Sequence, residues 1–180
     1  MRYDWRGGIG APSLSAEYFR EIDQRFLASV REFMPWRDLP FDQEIPYREL
    51  AGLDVLEIGV GQGTHASLIA PRAKSFTGID LTDPAVRATH ARFRQLGLPD
   101  SRVLQMDAEE MGFPDACFDY IWSWGVIHHS SDTRRVLQEM HRVLRPAGRA
   151  NVMVYHRSFW KYYVSSGLLR GLLQGRLVHG

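Results

Sequence analysis

A chain of 180 residues with 44% hydrophobic and 24% charged residues is long enough for one domain with its own core, and its composition excludes a disordered or fibrous protein. Twenty-two basic and twenty-one acidic side chains leave a formal charge of +1, too balanced for a protein that holds nucleic acid by bulk electrostatics. One cysteine, Cys117, excludes an internal disulfide, and no run approaches the roughly 18 apolar residues of a membrane helix.

No Cys/His set has zinc-finger spacing, so no metal site is expected, and Met1-Arg2-Tyr3-Asp4 lacks a signal-peptide core. The expected location is the cytoplasm. Ser15 is placed to cap a helix with Glu17 in its first turn, where the helix dipole favours an acid. Phe19, Ile22, Phe26, Val30 and Phe33 follow at steps of three and four and give it one apolar face. Pro35, Pro40 and Pro46 then hold the chain irregular.

From Leu53 the pattern becomes strand, glycine turn, helix, strand. Strands are expected over 53–58, 75–79, 102–106, 118–123 and 149–155. Helices are expected from Thr64 to Ala70, from an Asp83 cap with Pro84 to Gly97, and from Asp132 through Leu144 to a stop at Pro146 and Gly148. Alternation with connections this short implies an α/β fold, a doubly wound parallel sheet covered on both faces.

In such a sheet ligands bind beyond the carboxyl ends of the strands, so the residues that end each strand carry the chemistry. The first strand runs into Glu57-Ile58-Gly59-Val60-Gly61-Gln62-Gly63. Glycines at alternate positions let the backbone turn sharply and pass close to a ligand. A dinucleotide site wants G-x-G-x-x-G and a pyrophosphate on the helix N-terminus. Here the third glycine comes early and a carboxylate stands at the mouth, which suits the cationic, phosphate-free S-adenosylmethionine. Asp80, ending the second strand, can accept hydrogen bonds from both ribose hydroxyls. Asp107 and the backbone N–H of Ala108 can read an adenine edge.

With these motifs in order the chain resembles the class I S-adenosylmethionine-dependent methyltransferases, in the branch similar to the ubiquinone- and menaquinone-pathway C-methyltransferases. Phe118-Asp119-Tyr120-Ile121, Val126-Ile127-His128-His129 and Arg142-Val143-Leu144-Arg145-Pro146-Ala147-Gly148 extend the resemblance, which runs from about residue 50 to 155. Ala147 departs from it, since the family usually has a second glycine there. The resemblance implies a Rossmann-like sheet ordered 3-2-1-4-5. It assigns Glu57, Gly59, Gly61 and Gly63 to the turn around the methionine part of the cofactor and Asp80 to the ribose. Leu81, Asp107 and Ala108 would meet the adenine, and the carbonyl of Ser123, ending strand four, would meet the ammonium group.

The same resemblance divides the chain into a helical cap and connector over 1–49, a cofactor-binding core over 50–156 and a truncated helical segment over 157–180. The family's sheet usually has seven strands. Phe159, Tyr162, Tyr163, Leu168, Leu169, Leu172 and Leu173 suit a helix instead of strands six and seven, so five strands and a fragment of a longer protein are expected.

Trp122-Ser123-Trp124-Gly125 stands where enzymes that methylate nucleic-acid amines have Asn/Asp-Pro-Pro-Tyr/Phe, so no nucleic-acid partner is expected. The arginines at 87, 92, 94, 134, 135, 142, 145 and 149 read as solvated helix faces. His129, and after it His128, are the candidates for taking a proton from the acceptor. Tyr3, Trp5, Tyr18 and Phe19, with His156, Phe159, Trp160, Tyr162 and Tyr163, could form an aromatic lid. The function expected is methyl transfer from S-adenosylmethionine to carbon or oxygen of a small molecule. A non-catalytic cofactor-binding domain working through a partner and an NAD(P)-dependent oxidoreductase are the alternatives.

Overall fold

A computed structural model of the chain describes residues 8–32, 34–98 and 101–155. Strands β1 (Asp54–Ile58), β2 (Ser75–Asp80), β3 (Arg102–Gln105), β4 (Phe118–Trp124) and β5 (Leu144–Met153) form one sheet. Every pairing is parallel, and the order is β3-β2-β1-β4-β5. Strand order therefore reverses between β1 and β4, and the crevice for a ligand opens at the carboxyl ends of those two strands.

Helices α1 (Ala16–Arg31), α2 (Thr64–Ile69) and α3 (Asp83–Leu96) lie on one face of the sheet, and α4 (Thr133–Val143) lies on the other. The central strand reads as continuous burial because both its faces are covered, with Val55 on the α2 face and Leu56 and Ile58 on the α4 face. Phe41, Ile45 and Leu50, from the segment before β1, belong to the same apolar cluster as Val55, Phe76 and Trp122. The connector is thus part of the core.

Ser15 caps α1 by accepting the Tyr18 N–H at 3.1 Å, and Asp132 caps α4 by accepting the Arg135 N–H, as the pattern predicts. Tyr18 and Phe19 are not lid residues. They are buried with Ile22 against Ala88 and Ala91 of α3. The other lid candidates (Tyr3, Trp5, His156, Phe159, Trp160, Tyr162 and Tyr163) and the expected C-terminal helix lie outside the described residues.

Two boundaries differ from expectation. Thr82, not Asp83, is the N-cap of α3, and Asp83 instead pairs with Arg87 one turn on. β5 begins at Leu144 rather than at 149, because Pro146-Ala147-Gly148 is a bulge within the strand and not a helix stop. Leu144 pairs with Phe118, and the ladder resumes at Arg149 opposite Tyr120. The bulge turns Arg145 back onto Asp54 and Asp119 at 2.8 and 2.6 Å. Those contacts bind the starts of β1 and β4 together. The Ser75 hydroxyl first, and then Arg145, draw the Asp54 carboxyl down to about 2. Arg142 likewise clasps Glu139 and the carbonyls of Met111 and Phe113, so these arginines tie the structure together rather than coat it.

Ala147 sits at φ 65, a left-handed conformation that costs an L-residue roughly 1–2 kcal/mol. Glycine removes that cost at an entropic loss of about 0.5–1 kcal/mol. Ala147→Gly should therefore raise stability by about 0.5–1 kcal/mol, measured by urea unfolding, while Ala147→Val should lower it.

Candidate functional site

The turn from β1 to α2 is built by close contacts that exclude side chains. Gly59 has φ 81, and a Cβ there would lie 2.3 Å from the Val126 side chain. Gly63, the N-cap of α2 at φ 76, would press a Cβ onto Thr89 and Arg92 of α3 at 3.1 and 3.2 Å. The Gly61 N–H donates to Asp80 Oδ2 at 3.0 Å, and the Thr89 hydroxyl donates to the Gly61 carbonyl. Turn, β2 and α3 are thereby held in one register.

Asp80 ends β2, and its other oxygen accepts the Thr82 N–H and hydroxyl, both at 2.9 Å. That explains the cap: the Thr82 side chain is engaged with Asp80 and leaves the α3 N–H groups alone. Asp80 Oδ1 is filled by the two bonds from Thr82, whereas Oδ2, which accepts only the Gly61 N–H, keeps a lone pair for a ligand hydroxyl. Leu81, beside it, is 65% exposed and offers an apolar surface at the mouth. Asp107 is exposed and accepts the Glu109 N–H at 2.8 Å, which fixes the turn that carries Ala108.

Glu57 lies beneath the turn, 1% exposed, and its Oε2 has no hydrogen-bond partner. Burial pushes its carboxyl well above the usual carboxylate range; Arg92 opposes this and Asp80 adds to it. Arg92 is itself buried, contrary to a solvated face. Asp23 of α1 holds it at 2.7 and 3.0 Å, and its guanidinium covers the Phe19 ring at 4.5 Å. Asp23 also accepts from the Thr64 hydroxyl at 2.7 Å, so one acid of α1 grips the first residue of α2 and the guanidinium of α3.

Ser123 does not end its strand. β4 continues to Trp124, and Ser123 lies inside the ladder between Ile58 and Val152, fully buried, with its hydroxyl donating to the Ile58 carbonyl. His128 and His129 follow in a 3-10 turn, with ring centroids 4.1 Å apart. Val126, packed over Gly59, brings that turn against the glycine loop. His129 is exposed, whereas His128 is half-buried, edge-on to Tyr155, with neither ring nitrogen partnered. Burial first, and then the neighbouring His129, pull the His128 imidazole below its usual value.

Sequence reasoning missed Asp23, Arg92 and His65. His65, in the first turn of α2, is enclosed by Phe26, Phe41, Trp122 and Trp124 at 4.8–5.8 Å between ring centroids. The only signal for it was its place two residues after Gly63. Its aromatic neighbours come from three distant segments.

The methyltransferase-domain family matches residues 56–152. The chain belongs to the class I S-adenosylmethionine-dependent methyltransferases. An uncharacterized methyltransferase of Bacillus subtilis, YcgJ, is 36% identical over 95 residues, which is 53% of this chain and 38% of that protein. Its crystal structure superposes with a TM-score of 0.57 at 26% identity, covering 82% of this chain and 58% of the other. The 27-O-demethylrifamycin SV methyltransferase of Amycolatopsis mediterranei is 36% identical over 55% of this chain and 37% of its own length. A phosphatidylethanolamine N-methyltransferase of Cereibacter sphaeroides is 36% identical over 72% of this chain and 68% of its own. The chain thus spans only about two fifths of the length of these first two relatives. The dinucleotide alternative falls with the match.

The residues present fit the family's cofactor. A sealed carboxyl that no group among the described residues neutralises suits a cation, and Asp80 Oδ2 keeps one lone pair for a ribose hydroxyl. Because the folded state raises the Glu57 pKa, it favours the protonated acid. Stability from this group is full below the unfolded value of about 4.3 and declines as pH rises from there through the raised folded value. Glu57→Gln should therefore stabilise the cofactor-free methyltransferase at neutral pH and flatten that decline. It should weaken S-adenosylmethionine binding about tenfold or more, since a charged hydrogen bond contributes about 1.5–3 kcal/mol. Thermal unfolding across pH 4–8 and calorimetric titration check the two halves.

Proposed function

We propose that this methyltransferase moves the methyl group of S-adenosylmethionine to carbon or oxygen of a small molecule, with His129 as the base that prepares the acceptor. The cofactor supplies an electrophilic methyl on a sulfonium, open to in-line displacement. The chain's residues then bind, align and keep water out. Glu57, Gly59, Gly61 and Gly63 would hold the methionine end, Asp80 the ribose, and Leu81, Asp107 and Ala108 the adenine.

The observation that supports the reading is the contact of Val126 with Gly59, which brings the 3-10 turn that carries His128 and His129 next in sequence to the glycine loop. Burial keeps His128 neutral and packed on Tyr155, while His129 stands exposed next to it. A neutral imidazole there can accept the proton of a hydroxyl or an acidic carbon as the new bond forms. Ser123 is retained only for its backbone carbonyl, since its side chain is engaged with Ile58.

A second reading, transfer to an amine, is favoured by the phosphatidylethanolamine N-methyltransferase, of which this chain covers 68%. Among the described residues no helix is long and apolar enough to cross a membrane, so a lipid acceptor would be met at the membrane surface. Turnover of methyl-labelled S-adenosylmethionine with phenols and quinols, carbon acids, and phosphatidylethanolamine vesicles separates the readings.

His129→Ala should lower kcat about a hundredfold or more, the range for a lost general base, and leave cofactor affinity within a few fold. Unchanged turnover with a lower melting temperature would instead make the imidazole a packing group.

A further inference from the structure

A polar cluster is embedded in the aromatic face of the sheet, one layer below the glycine turn. Glu57 and Trp122 are paired positions on neighbouring parallel strands, 1% and 0% exposed. The His65 ring lies 5.3 Å from the Trp122 ring, and Phe26, Phe41 and Trp124 close the remaining sides. Glu57 Oε2, Trp122 Nε1 and His65 Nε2 are all sealed from solvent, and none has a hydrogen-bond partner among the described residues.

Natural interiors rarely leave several such atoms together. A buried indole N–H can only donate, a neutral imidazole accepts at one nitrogen, and a carboxyl group accepts at either oxygen. A phenyl ring at position 65 would fill the same aromatic box without a stranded nitrogen, so His65 adds nothing to packing that Phe would not. Glu57 Oε2 and Trp122 Nε1 come from paired positions of β1 and β4, and His65 Nε2 from the ring packed against Trp122; three atoms of such complementary character match the two to four bonds of an internal water.

We propose that His65 and Trp122 are positioning residues that hold Glu57, through one internal water, in the orientation that the cofactor's cation requires. Trp122 Nε1 donates to the water, which donates in turn to Glu57 Oε2 and to His65 Nε2. Burial pulls the His65 imidazole down to about 3, so it stays neutral and its Nε2 keeps the lone pair this role needs. The relay explains how a carboxyl with 1% exposure can answer a ligand above the turn. It rests on the reading of this site as the S-adenosylmethionine site.

Calorimetric titration of the full chain with S-adenosylmethionine, beside thermal unfolding of the cofactor-free protein, tests it. His65→Phe should weaken binding about tenfold with an unchanged or higher melting temperature, and His65→Gln, which restores a polar atom, should recover most of the loss. Trp122→Phe, which deletes the donor, should show the same loss of affinity. In a Glu57→Gln background His65→Phe should have little further effect, because the group it positions is already altered. The relay is overturned if His65→Phe binds like wild type, if His65→Gln fails to rescue, or if the loss persists in full in the Glu57→Gln background. A wild-type chain that binds no S-adenosylmethionine overturns both the relay and the cofactor reading, whereas wild-type binding with no effect of His65→Phe overturns the relay alone.

Discussion

Glu57 is a carboxyl group shut away from water at the end of the central strand, and among the described residues no donor satisfies its Oε2. Ionising it there is expensive. The one cation within its field, Arg92, is already committed to Asp23 through two hydrogen bonds. Arg92 and Asp23 offset one another and Asp80 adds negative charge, so an entering cation offsets the charge that Glu57 gains on ionising. S-adenosylmethionine, with an ammonium, a sulfonium and a carboxylate, brings one net positive charge. A pyrophosphate would bring the wrong sign. The electrostatics of this buried side chain thus suit a cationic ligand better than a pyrophosphate.

Much of the surrounding architecture maintains that arrangement. Asp23 reaches across from α1 to Thr64 and Arg92, so the helix before the sheet fixes both the start of α2 and the cation facing Glu57. Gly63 allows α2 to approach α3, and Gly59 allows Val126 to close over the turn. On the other side of that contact are His128 and His129. The cofactor turn and the proposed acceptor side are therefore joined through a backbone that tolerates no side chain. Arg145, at the opposite end of the sheet, ties β1 to β4 through Asp54 and Asp119 and fixes the two strands that bound the crevice.

The fold was largely legible in the sequence because each signal for it is local. Ser15 and Asp132 cap the helices they precede, Gly97 stops α3 in a left-handed conformation, and the alternation of elements fixes a parallel sheet. The misread start of β5 shows the limit of local rules. Pro146-Ala147-Gly148 has the composition of a helix terminator, yet its role is decided by pairing with β4, which no local pattern reports. The same topology sets Glu57, Asp80 and Asp107 at or just beyond the carboxyl ends of their strands. Arg92 was hidden because its partner is 69 residues away and its spacing in α3 looks like any surface position. His65 was hidden because its box is assembled from α1, the 34–49 connector and β4. Charge networks and aromatic boxes are properties of tertiary packing, and the sequence shows their parts without their meeting.

The central claim is that Glu57 is a neutral acid in the free protein and a carboxylate when the cationic cofactor is bound. Titration calorimetry with S-adenosylmethionine across about pH 4–8, in buffers of differing ionisation enthalpy, measures the protons exchanged as a function of pH. The account predicts proton release on cofactor binding in wild type and almost none in Glu57→Gln. Tight binding by wild type with no dependence on buffer enthalpy would contradict it.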